Sequence, residues 1–281
     1  MIIELFGPPG SGKTTFANAL ATRLRESRHI VDLTLSSRPA ERPAHSPSRG
    51  STASENWTSA LGQRLFRPLL EMVAISRHPL LLSQNVGATA RLVRLLRPRS
   101  VAAAIRLGQY ILRLRHTWSQ ASTVEHIVIF DQGFVQAVCS LALFARTADD
   151  QSMASALACS PRPDLLIRLD APPGILATRL GDRMRGQGRL ERLLELDLTM
   201  DLESIRIIDQ LHGLLTRCGQ PVISVTSLDE RTLRESVDRV EKQLVVMTGA
   251  KQRALTAGRS SPETNSIPIS HGNARYGSRG R

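Results

Sequence analysis

The stretch GPPGSGKT, Gly7 to Thr14, constrains this chain more than any other feature. Its spacing, GxxxxGK[ST], lets glycines turn backbone N–H groups inward around phosphate oxygens and aims the positive end of the next helix at them. Lys13 can then reach the terminal phosphates and Thr14 can offer its hydroxyl to Mg²⁺. Gly7, Pro8, Pro9, Gly10, Ser11, Gly12, Lys13, Thr14 and Thr15 are therefore read as a phosphate-binding loop. Such a loop must join a buried parallel strand to a helix. Ile2 to Phe6 is a short apolar run before it, and a helix from Lys13 to about Arg28 follows.

Four further apolar runs repeat the pattern: His29–Leu35, His126–Phe130, Asp164–Asp170 and the PVISV segment. Helices are expected after each, opened by Thr52 with Glu55, by Gly133, by Pro172 and Pro173, and by Leu228. The regular alternation of strand and helix, under the right-handed crossover rule, gives a parallel sheet with helices on both faces. Pro68, Pro79 and Pro98 cut the region between the second and third strands into several helices, the last from about Ser100 to Trp118. Ser36 to Ser54 has a loop composition, and residues 250–281 read as a disordered tail with six cationic side chains against Glu263.

Asp131 closes the third apolar run, where a carboxylate can serve a Mg²⁺ ion or accept a proton from a hydroxyl. The alternative is a plain turn or helix cap. Thr178 to Glu195 is rich in arginine, with Arg179 and Arg183 one turn apart and Gly186–Gln187–Gly188 available as a hinge. Arg179, Arg183 and Arg185 would neutralise phosphoryl charge from a mobile cover, or else pair with nearby carboxylates as a solvated helix.

The net charge of +12 is unevenly spread. Between Met72 and Val124 there is no acidic residue, yet there are eight arginines. That stretch reads as a solvated face, as a site for an anionic acceptor, or as an attachment surface for nucleic acid or anionic lipid. The three cysteines are far apart, which argues against a disulfide framework or zinc knuckle. No basic-then-apolar leader and no run of about 18 apolar residues occurs, so a cytoplasmic protein is expected.

In order, GPPGSGKTT, VIFDQG, PDLLIRLDAPPGILATRL, GDRMRGQGRLER and PVISVTSLDE resemble the phosphate-loop nucleoside and nucleotide kinases, thymidylate kinases in particular. The resemblance implies a three-layer α/β/α P-loop NTPase with a five-stranded parallel sheet in the order 2-3-1-4-5. Residues 1–249 would be the domain, with a helical insertion at about 55–120 between strands 2 and 3 and a lid at about 179–192. It implies ATP and Mg²⁺ as cofactors, Lys13, Asp131, Arg179, Arg183 and Arg185 as catalytic groups, and Thr14 and Asp131 on the metal. Arg38 and Gln132 would meet the acceptor. Thymidylate kinases carry Asp-Arg where this chain has Asp131-Gln132, and Gln132 suits a neutral base or sugar. The expected activity is transfer of the γ-phosphoryl group of ATP to a small anionic or nucleoside-like acceptor. An ATPase or nucleotide switch without an acceptor, and a basic module binding nucleic acid or a membrane surface, are the rival readings. A homodimer is left open.

Overall fold

A computed structural model describes residues 1–35, 79–185 and 198–259. Five strands, β1 (Ile2–Phe6), β2 (Val31–Thr34), β3 (Ile127–Phe130), β4 (Leu165–Asp170) and β5 (Val222–Thr226), form one sheet in the order β2-β3-β1-β4-β5. Every pairing is parallel. This is the order and the all-parallel sheet the sequence led us to expect. Eight helices are described: α1 (Lys13–Glu26), α2 (Pro79–Leu95), α3 (Val101–Ala121), α4 (Phe134–Phe144), α5 (Asp150–Ala158), α6 (Pro173–Arg185), α7 (Leu198–Arg217) and α8 (Glu230–Arg259).

The sheet separates two apolar layers because strand side chains alternate in direction. Ile2, Phe6, Val128, Phe130 and Leu166 join one cluster with residues of α3, α4, α5 and α7. On the other face α1 packs on β1 and β3 through its buried stripe of Phe16, Leu20 and Leu24. The last strand and α8 are tied by Ser236, whose hydroxyl donates to the Thr226 carbonyl at 2.7 Å. Chain compactness divides the molecule into Met1–Glu241, which holds the sheet, and Lys242–Arg281, whose described part, to residue 259, is helical.

Strand β2 begins two residues and ends one residue inside its expected run, β3 and β4 each begin one residue inside, β1 matches, and β5 is shifted one residue on, to Thr226. Ser100 caps α3, its side chain accepting the Ala103 N–H at 3.1 Å, and α3 continues three residues past the expected end. Helix α5 was not anticipated. Its start is signalled by Asp149, whose carboxylate accepts the Ser152 N–H at 2.7 Å. Helix α8 continues past Val246 to Arg259, taking in the first ten residues of the stretch expected to be a disordered tail; no proline interrupts it before Pro262. The loop at 36–54, the helix expected from Thr52, the lid hinge at 186–188 and the tail from 260 onward lie outside the described residues.

Candidate active site

The loop between β1 and α1 is shaped by backbone that only glycine adopts readily. Gly7, Gly10 and Gly12 have φ of 154°, 78° and 90°. A Cβ on Gly7 would stand 2.4 Å from the Leu169 carbonyl oxygen, so the loop can follow β4 closely only with glycine there. Lys13 opens α1, is 8% exposed, and its ammonium donates to the carbonyls of Gly7 and Pro8 at 2.8 and 2.9 Å. Ser11 is fully buried and its hydroxyl oxygen finds no hydrogen-bond partner among the described residues. The Gly7 N–H donates to the side-chain carbonyl of Gln136 at 3.3 Å.

Because β1 and β3 are neighbours, the end of β3 meets the start of α1. The Thr14 hydroxyl donates to a carboxylate oxygen of Asp131 at 3.1 Å, and Asp131 is 1% exposed. Two oxygens from separate elements thus meet where the motif would place a cation. Among the described residues no group of three or more His, Cys, Asp or Glu could hold a metal by itself.

Arg179, on α6, approaches the loop from the opposite side. Its guanidinium donates to the carbonyls of Gly10 at 3.2 Å, Ser227 at 3.0 Å and Leu228 at 2.8 Å. It therefore bridges the phosphate loop and the β5–α8 turn from a fixed position. Arg183 and Arg185 lie on the last turn of α6, and their side chains, like Arg38 altogether, are outside the described residues. Gln132 is half-buried beside Asp131, and Thr15 faces solvent.

Glu4 was not singled out from the sequence, although a carboxylate inside the apolar run IIELF is the signal that could have found it. It is fully buried and accepts the Val135 N–H at 2.6 Å through one oxygen; the other has no partner. Burial outweighs backbone bonds from Val135, Phe134 and Gln136 and pushes its carboxyl up to about 8. A Cβ on Gly133 would stand 2.4 Å from the Glu4 Cδ, so the turn after Asp131 closes directly on this carboxyl. Tyr110 of α3, which the sequence suggests as a core or rim anchor, lies close by. Its hydroxyl is buried without a partner, and burial, with the charges of Glu4 and Asp131, raises its pKa. Burial also pushes the Cys139 thiol up to about 12, which removes it as a nucleophile.

Residues 3–132 match the model of the ATPase family associated with various cellular activities, a span that includes both the loop and Asp131. The matched span is less than half of the chain and contains the GxxxxGK[ST] loop. Among solved structures it is similar to deoxyadenosine kinase from M. mycoides. With dCMP and a flexible dCDP bound, that kinase aligns at 12% identity over 88% of this chain and 100% of the kinase chain, with a TM-score of 0.46. With dATP bound it aligns at 13% identity over 87% and 99%, with a TM-score of 0.44. No curated protein sequence matches the chain.

Proposed function

We propose that the chain is a small-molecule kinase that transfers the γ-phosphoryl group of Mg-ATP to a nucleoside-like acceptor. The observation that carries this reading is the placement of Thr14 and Asp131, 3.1 Å apart, on one side of the phosphate loop, with Arg179 on the other. A buried, unpartnered Ser11 hydroxyl and a glycine-formed concave backbone fit a bound triphosphate. Nucleotide and metal supply the transferable group and the divalent charge, and catalysis is then positioning and charge neutralisation. The Lys13 ammonium binds the terminal phosphates. Asp131 takes the proton of an acceptor hydroxyl, or serves the metal where the acceptor is already an anion. Arg179, and from the lid Arg183 and Arg185, offset negative charge and exclude water. Gln132, where thymidylate kinases place an arginine, favours an uncharged base or sugar over a phosphate monoester, and Arg38 completes the acceptor's surroundings.

The test is transfer from γ-labelled ATP to nucleosides, nucleoside monophosphates and sugar alcohols, with Lys13→Ala as the control. Labelled product from a nucleoside, lost in the variant, supports the reading. Hydrolysis of ATP with no labelled acceptor supports the second reading, an ATPase or switch, which the ATPase-family match over residues 3–132 favours.

A further inference from the structure

The arginine-rich stretch without acidic residues is not used by the phosphate site, and six of its eight arginines fall into two groups. Arg99 and Arg115 serve the fold. The Arg99 guanidinium donates to the Ala145 carbonyl at 3.0 Å, and Arg115 donates to the Cys159 carbonyl at 3.2 Å while lying over the Phe134 ring. Arg91, Arg94, Arg97 and Arg106 are exposed and make no ion pair among the described residues.

Those four share their surface with aliphatic side chains. Helices α2 and α3 pack together and send Leu92, Leu107, Ile111 and Leu114 into one cluster, so their exposed stripes lie on the outer side. There Val101 is 76% exposed and Ile105 57% exposed, one turn apart at the start of α3, and Val86 on α2 is 46% exposed. A recess of about 570 Å³ is lined by Gly87, Ala90, Arg91, Arg94 and Leu95. Its small residues leave room between two guanidinium groups spaced three residues apart.

We propose that the outer face of the α2–α3 hairpin docks on an anionic lipid bilayer, with the recess taking a phosphate-bearing headgroup. Charge sets the sign of the partner. Across the hairpin, residues 79–121, every formally charged side chain is an arginine. The aliphatic side chains decide between polyanions. A phosphodiester backbone offers nothing for Val101 and Ile105 to bury against, whereas a bilayer interface accepts aliphatic groups beneath its headgroups and guanidinium groups among them. The hairpin's tryptophan, Trp118, is 5% exposed and spent on the core, so it offers no platform for stacking a base.

The experiment is sedimentation of the full chain with vesicles of phosphatidylcholine and phosphatidylglycerol in roughly three-to-one proportion, beside pure phosphatidylcholine vesicles. A fourfold variant, R91E/R94E/R97E/R106E, is compared with R206E/R217E/R231E/R234E, which reverses as many exposed arginines elsewhere. The expected result is binding to anionic vesicles only, reduced at least about tenfold by the hairpin variant and far less by the other. V101S/I105S should leave the melting temperature unchanged and weaken the binding that survives high salt. Equal losses in both fourfold variants would overturn the proposal, because net charge alone would explain the binding. Tighter binding to duplex DNA than to vesicles, or a V101S/I105S effect on self-association instead of vesicle binding, would overturn it as well.

Discussion

The Val135 N–H donates to the Glu4 carboxyl at 2.6 Å, joining the first strand to the first turn of α4, four residues beyond Asp131. Since burial pushes that carboxyl up to about 8, the folded chain keeps a proton that the unfolded chain releases near the ordinary value of 4.5. The sign follows by linkage. The contribution to stability is complete below the unfolded pKa and is lost as pH rises through the folded one. At about 1.4 kcal/mol per unit, the span corresponds to on the order of 5 kcal/mol for Glu4 alone. Glu4→Gln keeps the shape and the acceptor for Val135 and has no such proton to lose. Thermal melts across this window should show the wild type losing stability relative to the Gln variant as pH rises. Parallel profiles would mean that Glu4 is already ionised in the folded chain.

Gly133 and Gly213 should respond oppositely to alanine. At position 133 the new Cβ would meet the Glu4 Cδ at 2.4 Å, and Glu4 is buried among packed neighbours and tied to Val135. Overpacking of this kind costs about 1 to 3 kcal/mol and should move Asp131 as well. At position 213, inside α7, nothing lies within 4 Å of the added carbon, and Gly→Ala in a helix gains about 0.5 to 1 kcal/mol. Denaturant titration of both variants checks the pair, and a destabilised Gly213→Ala would contradict the packing described here.

The sequence made the sheet legible because each of its strands is a short apolar run ending in a turn residue, and because one loop motif sets the register of everything after it. Asp131 was legible for the same reason: it ends such a run. Glu4 was legible only as a carboxylate inside an apolar run, since its partner, the backbone N–H of Val135, lies 131 positions away and leaves no mark on local spacing. Arg179 was legible as a cation but not as a bridge, because its three acceptors are main-chain carbonyls, which carry no side-chain signature. Helix α5 escaped because its nine residues bury only Met153 and Ala156, too few for a periodic stripe.

Trp118 packs against both residues that flank the turn carrying Asp131. Its ring stacks on Phe130 with centroids 4.9 Å apart and meets Phe134 edge-on at 5.2 Å, and these two residues flank the segment Asp131–Gly133. Trp118→Ala should destabilise the domain by about 3 to 5 kcal/mol, as large core truncations do. It should also weaken ATP binding in the fraction that stays folded. Trp118→Phe, which keeps an aromatic face, should lose much less on both counts, measured by melting and by calorimetry with Mg-ATP.

Asp131→Asn separates the two roles open to that carboxylate. The amide preserves size and still offers an oxygen to the Thr14 hydroxyl, so the fold should survive the substitution. If Asp131 serves the metal, the variant should need at least about tenfold more Mg²⁺ for half-maximal rate, and saturating Mg²⁺ should restore most of the activity, since only affinity was lost. If Asp131 is the base, Mg²⁺ dependence should stay put and the rate should fall about 10²- to 10⁴-fold at every metal concentration. The base role also predicts that an acceptor already ionised at the reacting oxygen is spared, because there is no proton to remove. Steady-state rates over a Mg²⁺ series, with a nucleoside and a nucleoside monophosphate as acceptors, distinguish the outcomes. A variant indistinguishable from wild type in both series would remove Asp131 from the chemistry and leave it a structural role, which includes its bond from the Thr14 hydroxyl.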